Sequence, residues 1–284
     1  MNEREIIAKS IRLLEGKDIS VWEDFKDYHE ARDLLLDNGF IRGKNEELQK
    51  AYHEIFPSNK SLEKELNGVL KEIQSKDEII KLKASKFLEK APREEVGMDS
   101  KLWLKEPKTI EILCNALENE SNEKVMENLI LCLGNIASRY GYDDIAVFER
   151  IVSKYEKSSN SLKIIIAQSC CKYLTDRKWM YVYDVLSFKS KKVIVQRLLP
   201  NIIRYSEELK LCDDWLSKIK SNLYETVSSN KNVQIQTKFI RAVMHLSSID
   251  DIDSLKNIIK NNTLKSPLSG NLEDKINELS NTLV

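Results

Sequence analysis

The amino-acid sequence predicts an all-α protein, a solenoid built as a stack of antiparallel helix pairs. Only 8 Gly and 5 Pro occur in 284 residues, too few turn formers for an all-β chain. Apolar residues make up 42% of the chain and charged residues 32%, enough for a core and a heavily charged surface. Beyond residue 58, apolar side chains recur at helical spacing in two-helix units, each pair joined by a short polar turn.

Residues 1–57 read as three helices, at 6–14, 21–36 and 46–55, interrupted by Gly16, Asn38-Gly39 and Gly43. Asn38-Gly39 has the composition of a left-handed helix stop. This region is expected to form an N-terminal helical cap, and 58–284 the repeat array. Within the array, first helices are expected at 60–73, 109–117, 144–155, 178–188, 213–227 and 252–259. Second helices begin near Asp77, Glu123, Ser161, Lys191, Asn232 and Asn271, most of them after clusters such as Ser75-Lys76-Asp77 or Ser121-Asn122-Glu123. Ser, Asn and Asp at those places accept hydrogen bonds from the unpaired amides of a first helical turn. The starts lie roughly 30 to 46 residues apart, within the range of two-helix repeats. Pro92, Gly97 and Pro107 mark an extended connection, and Pro200 is expected to kink the helical pattern of 193–203.

The second helices share a loose signature: Ile80, Ala84 and Phe87-Leu88; Val125, Leu129, Cys132-Leu133 and Ile136; Leu162, Ala167, Cys170 and Leu174; Val233, Phe239-Ile240 and Val243. On these residues the chain resembles HEAT/armadillo repeat proteins over about 58–284. The resemblance implies an α-α superhelix whose second helices line a concave face, with the weak last unit as a terminal cap.

Chemistry is sparse. The three histidines, His29, His53 and His245, have no Cys, His or carboxylate partner at metal-ligand spacing, and no HExxH, CxxC, EF-hand, Walker or GxSxG motif occurs. Cys114, Cys132, Cys170, Cys171 and Cys212 read as core thiols. Asp143-Asp144, Asp213-Asp214 and Asp250-Asp251 stand at helix starts, where carboxylates complement the helix dipole. No metal, cofactor or small-molecule substrate is expected. The charged opening Met1-Asn2-Glu3-Arg4-Glu5 and the absence of an apolar run near 20 residues predict a cytoplasmic chain with no membrane association.

The segment Arg177-Lys178-Trp179-Met180-Tyr181-Val182-Tyr183-Asp184 gathers cations, aromatics and a carboxylate within about two helical turns. Arg177, Lys178, Trp179 and Tyr183 form a candidate aromatic and basic patch, since such rings stack nucleic-acid bases. In this combination the chain resembles HEAT-like DNA alkylation-repair glycosylases, which set aromatics, an Asp and an Arg around a damaged nucleotide. Their Trp–Asp signature is not matched: Asp213-Asp214-Trp215 reverses its order, and Trp179 and Asp184 are five residues apart. No catalytic residue is carried over.

Charge distribution is the strongest functional lead. The net charge is +0, yet 157–204 holds ten Lys/Arg against Asp176 and Asp184 alone, a net of +8. Residues three, four or seven apart share a helix face. On the second helices, the face opposite the apolar stripe carries Lys83, Lys86 and Lys90, then Asn128, Asn135 and Arg139, then Gln168 and Lys172. It continues with Arg197, Asn201 and Arg204, and with Gln234, Lys238, Arg241 and His245. Lys172, Arg197, Asn201, Arg204, Lys238 and Arg241 are the candidate partner-binding residues, Arg197 and Arg204 being expected to point the same way from one helix. The function expected is a non-enzymatic binding scaffold holding an acidic or extended protein partner, in the manner of a bacterial immunity or adaptor protein. The alternative is a nucleic-acid-binding protein related to the repair glycosylases, against which the pI of about 6.9 argues.

Overall fold

The computed structural model describes residues 60–93, 104–261 and 266–281. The expected cap at 1–57, with Trp22, His29 and His53, lies outside the described residues, as do Gly97 and Trp103. Among the described residues there is no strand, and no helix is long and apolar enough to cross a membrane. The chain divides into two compact units. One runs to Lys157 and includes Lys172–Leu174; the other comprises Ser158–Cys171 and the chain from Thr175 onward.

The first unit contains α1 (Lys60–Glu72), α2 (Glu78–Lys90), α3 (Pro107–Glu118), α4 (Glu123–Tyr140) and α5 (Ile145–Val152). The polar clusters behave as helix starts. Asp77 accepts from the amides of Ile79 and Ile80 at 2.8 and 3.2 Å, Asn122 from Lys124 at 3.0 Å, and Asp144 from Ala146 at 2.8 Å. Each supplies an acceptor to a first-turn amide that has none within the helix. Helix α3 instead opens on Pro107, which needs no amide partner there. Gly141 closes α4 at φ 66°, the left-handed conformation that a side chain disfavours.

Packing is like on like. The first helices α1, α3 and α5 touch in succession, α2 packs on α4, and α1 and α3 each pack on the second helix of their own pair. Helix α4 is the centre of this unit. Thirteen of its eighteen residues are buried, so it retains no solvent-facing polar stripe.

The second unit contains α6 (Asn160–Cys170), α7 (Lys178–Leu186), α8 (Lys191–Arg197), α9 (Leu199–Arg204), α10 (Ser206–Lys210), α11 (Asp213–Ser229) and α12 (Val233–Leu246). A 3-10 turn (Ile249–Asp251), α13 (Ile252–Asn261) and α14 (Ser266–Asn281) complete it. Here α7, α11 and α13 form one succession of contacts, and α6, α8, α12 and α14 the other; α11 packs on α12 and α13 on α14. Ser159 and Asn232 cap α6 and α12 as the sequence predicts. Helix α14, by contrast, starts at Ser266, five residues before the expected Asn271.

The helix expected across 193–203 is two helices, separated at Leu198 (φ −104°, ψ −47°). Pro200 has no amide to donate to the Gln196 carbonyl, and its ring crowds that oxygen. The chain therefore restarts with Pro200 in the first turn of α9, where the missing donor costs nothing. A break replaces the expected kink.

Candidate functional site

The six candidate partner-binding residues fall into three environments. Lys172 belongs to the first unit. Its ammonium donates to the Asn135 side-chain oxygen at 2.6 Å, and Asn135 is buried in α4. Asn128, seven residues and about two turns earlier, is also buried and donates to Ser85 Oγ at 2.9 Å, tying α4 to α2. These amides were expected on an open stripe. They are instead interhelical ties, because α4 is covered on the side where periodicity alone leaves a polar face.

Arg197 and Asn201 form the second environment. Asn201 is 8% exposed, and its amide donates to the Arg197 carbonyl at 2.8 Å across the α8–α9 break. It satisfies a carbonyl that Pro200 and the break leave short of donors. Arg197 is half-buried at the end of α8, whereas Arg204 ends α9, so the two arginines are not on one helix. The expectation that they share a face rested on an unbroken helix and is withdrawn.

Arg204, Lys238 and Arg241 form the third. All three are exposed. Lys238 and Arg241 lie on α12 opposite its buried face of Phe239, Ile240, Ala242, Val243 and Leu246, with His245 exposed one turn beyond Arg241. Helix α12 packs on both α8 and α9. Packed helices have axes about 8–10 Å apart, so the cations of α9 and α12 belong to neighbouring helices of one unit. Beside Arg204, the Tyr205 hydroxyl has its pKa raised chiefly by burial, an effect that the nearby guanidinium partly offsets. Near the end of α12, Glu207 is held below the ordinary carboxylate range, first by its hydrogen bond to Lys210 and more weakly by His245 and Lys275.

The aromatic and basic patch divides between surface and core. Trp179 is fully buried and Lys178 is 2% exposed. Lys178 ion-pairs with Glu208, and its ammonium lies 5.0 Å from the Trp179 ring centroid and 5.3 Å from that of Tyr205. Both side chains pack the helix interface, so the patch as a solvent-facing surface is reduced to Arg177 and Tyr183. Sequence spacing missed this because Lys178 is followed at helical intervals by Tyr181, Val182 and Val185, all buried: it sits on the apolar face.

Other polar clusters of the fold are tightly satisfied. Lys81 bridges Glu78 at 2.7 Å and Glu120 at 2.8 Å, which raises its pKa; the Glu120 bond is the larger cause. Glu120 also accepts the amides of Ser121 and Asn122. In the second unit a cleft of about 610 Å³ is lined by one face of α11, including Ser217, Ser221 and Tyr224, and by the 3-10 turn. Lys220 and Asp251 ion-pair at its wall, and Asp251 completes a capping box with Ser248. Cys114, Cys132, Cys170 and Cys171 are buried, and burial raises the Cys114 pKa to about 11. Cys212 departs from the expected core setting. It is half-exposed at the start of α11, with its thiol 3.2 Å from Asp176. Among the described residues, no group of three or more His, Cys, Asp or Glu is placed to hold a metal ion.

No protein-family model matches the chain, and no curated protein matches it. The crystal structure of an engineered protein, a target of the Northeast Structural Genomics Consortium, is similar with a TM-score of 0.57 at 12% sequence identity. The match covers 76% of this chain and 97% of that one. At that identity the likeness shows a shared helical fold and nothing about activity.

Proposed function

We propose that this chain is a HEAT-like solenoid of antiparallel helix pairs acting as a non-enzymatic binding scaffold. Its basic surface of Arg204, Lys238 and Arg241 holds an acidic, extended segment of a protein partner, as an adaptor or immunity protein would. One observation carries the reading: exposed cations from two packed helices stand on the second-helix layer of the second unit. Like-on-like packing supports the solenoid, because stacked repeats bury each helix on its counterpart in the next pair. Arg suits the role through its planar guanidinium, which pairs with a carboxylate through two parallel hydrogen bonds. Lys172 and Asn201 drop out of the binding set, since the fold occupies their polar groups.

The test is charge reversal. A variant carrying Arg204→Glu, Lys238→Glu and Arg241→Glu is compared with the parent for binding to a fluorescent poly-glutamate peptide. Binding should be lost while the melting temperature stays within about 2 °C, the range of surface substitutions. Absence of binding by the parent, or undiminished binding by the variant, refutes the site. Preference for a DNA duplex, with a log–log salt slope near −0.9 per phosphate neutralised, transfers the same cations to the nucleic-acid reading.

A further inference from the structure

The layer of first helices in the second unit carries a surface of different chemistry. On α7, Met180 and Tyr183 are 43% and 38% exposed, three residues apart on one face. On the adjacent α11, Trp215 is half-buried, and its ring centroid lies 6.1 Å from that of Tyr183 at an interplanar angle of 50°. Leu211, just before α11, is 86% exposed. The two helices are joined at their N-terminal ends by the Cys212 thiol, which donates to Asp176. Exposed Met180, Tyr183 and Leu211 beside the half-buried Trp215 ring mark a binding surface more than a stable resting state. Tyr and Trp are among the residues that most often carry the energy at interface hot spots.

The charge around the rings specifies what would bind. Asp176, Asp184, Asp213 and Asp214 are all exposed and lie on α7, on α11 or immediately before them, against the exposed cations Arg177 and Lys218. The rings already hold a cation: the Lys218 ammonium lies 4.7 Å from the Trp215 centroid. Aromatic faces carry negative potential and attract ammonium and guanidinium groups, Trp most strongly. Lys218 thus occupies, from within the chain, the position that a partner's cation would take. We propose that the Tyr183–Trp215 face is a docking site for an arginine- or lysine-rich segment of a protein partner. Its basic side chains stack on the two rings and pair with the surrounding aspartates, while its apolar side chains cover Met180 and Leu211. This surface is separate in residues and opposite in charge preference to the Arg204, Lys238 and Arg241 surface.

Fluorescence anisotropy tests the assignment, using the full chain and a labelled 12-residue peptide of alternating Arg and Leu. A Glu-for-Arg counterpart is the control. The Arg peptide should bind at least about tenfold more tightly than the Glu peptide, and added salt should weaken it. Tyr183→Ser with Trp215→Ser should weaken binding about tenfold, within the range for loss of hot-spot aromatics. Asp184→Asn with Asp214→Asn, which keeps the rings, should weaken it and flatten the salt dependence. Lys218→Ala removes the internal competitor and should tighten binding about two- to threefold, a change of about half a kcal/mol. The triple reversal at Arg204, Lys238 and Arg241 should not weaken it, which separates this surface from the one proposed above. The assignment is overturned by equal affinity for the two peptides or by no binding of the Arg peptide. It is equally overturned if Lys218→Ala weakens binding, or if sedimentation shows self-association that the ring variant abolishes.

Discussion

Asp251→Asn is the most informative single perturbation of the second unit. The Asp251 side chain is 10% exposed, and one of its oxygens accepts from the Ser248 amide at 2.8 Å, the Ser248 hydroxyl at 3.0 Å and the Lys220 ammonium. Asn keeps the shape and an acceptor for the capping box but removes the charge. Losing one partner of a fully buried pair costs about 3–5 kcal/mol, and of an exposed pair about 0–1. Lys220 is 16% exposed, near the buried limit but not at it, so a cost of about 2 kcal/mol is expected. Lys220→Met should cost less, about 1 kcal/mol. The stranded carboxylate keeps both Ser248 donors, and a methionine packs where the lysine stem did. Urea unfolding followed by circular dichroism reads both variants and their double mutant as shifts in midpoint at constant slope. The coupling should survive about 0.5 M salt, because a buried pair is poorly screened. Greater loss for Lys220→Met than for Asp251→Asn, or a coupling that vanishes in salt, refutes the reasoning.

Leu133 is 1% exposed at the centre of α4, so Leu133→Asp should destabilise by about 3–5 kcal/mol in the same assay; parental behaviour would show that α4 is not the core of its unit. In native protein at pH 8 a thiol reagent should modify Cys212 alone, and all five cysteines after denaturation. The Cys212 thiol is itself raised, first by desolvation and then by Asp176, so its rate should climb with pH beyond the ordinary thiol range; a pH-independent rate would contradict this. Lys81 has a raised folded pKa, so its stabilisation is fully present below the unfolded value near 10.5 and is lost as pH rises through the folded value. Lys81→Met should therefore lower the urea midpoint at pH 7 and flatten the alkaline limb of the stability profile relative to the parent.

Several helix starts were legible because their causes are local. Asp77, Asn122, Ser159 and Asn232 each bond an amide two or three residues away, and apolar spacing along α12 already separates Phe239 and Val243 from Lys238 and Arg241. Which polar side chains stay exposed was legible only where a helix has one covered side, which holds for Lys238 and Arg241 on α12 but not for α4. Cys212 and the Tyr183–Trp215 pair gave no usable pattern, since the members of each contact lie more than 30 residues apart in the chain.

Sequence alone thus determined the helical class, the caps at Asp77, Asn122, Ser159 and Asn232, and the phase of α12, all set by backbone hydrogen bonding and by periodicity within a few residues. Tertiary structure decided which polar residues remain available to a partner. Asn128 and Asn135 are spent on Ser85 and Lys172, 43 and 37 residues away, and Lys178 is enclosed by Glu208 and Tyr205. Whether a polar side chain faces water or a neighbouring helix depends on how many sides of its helix are covered, and that is a property of packing rather than of the segment itself.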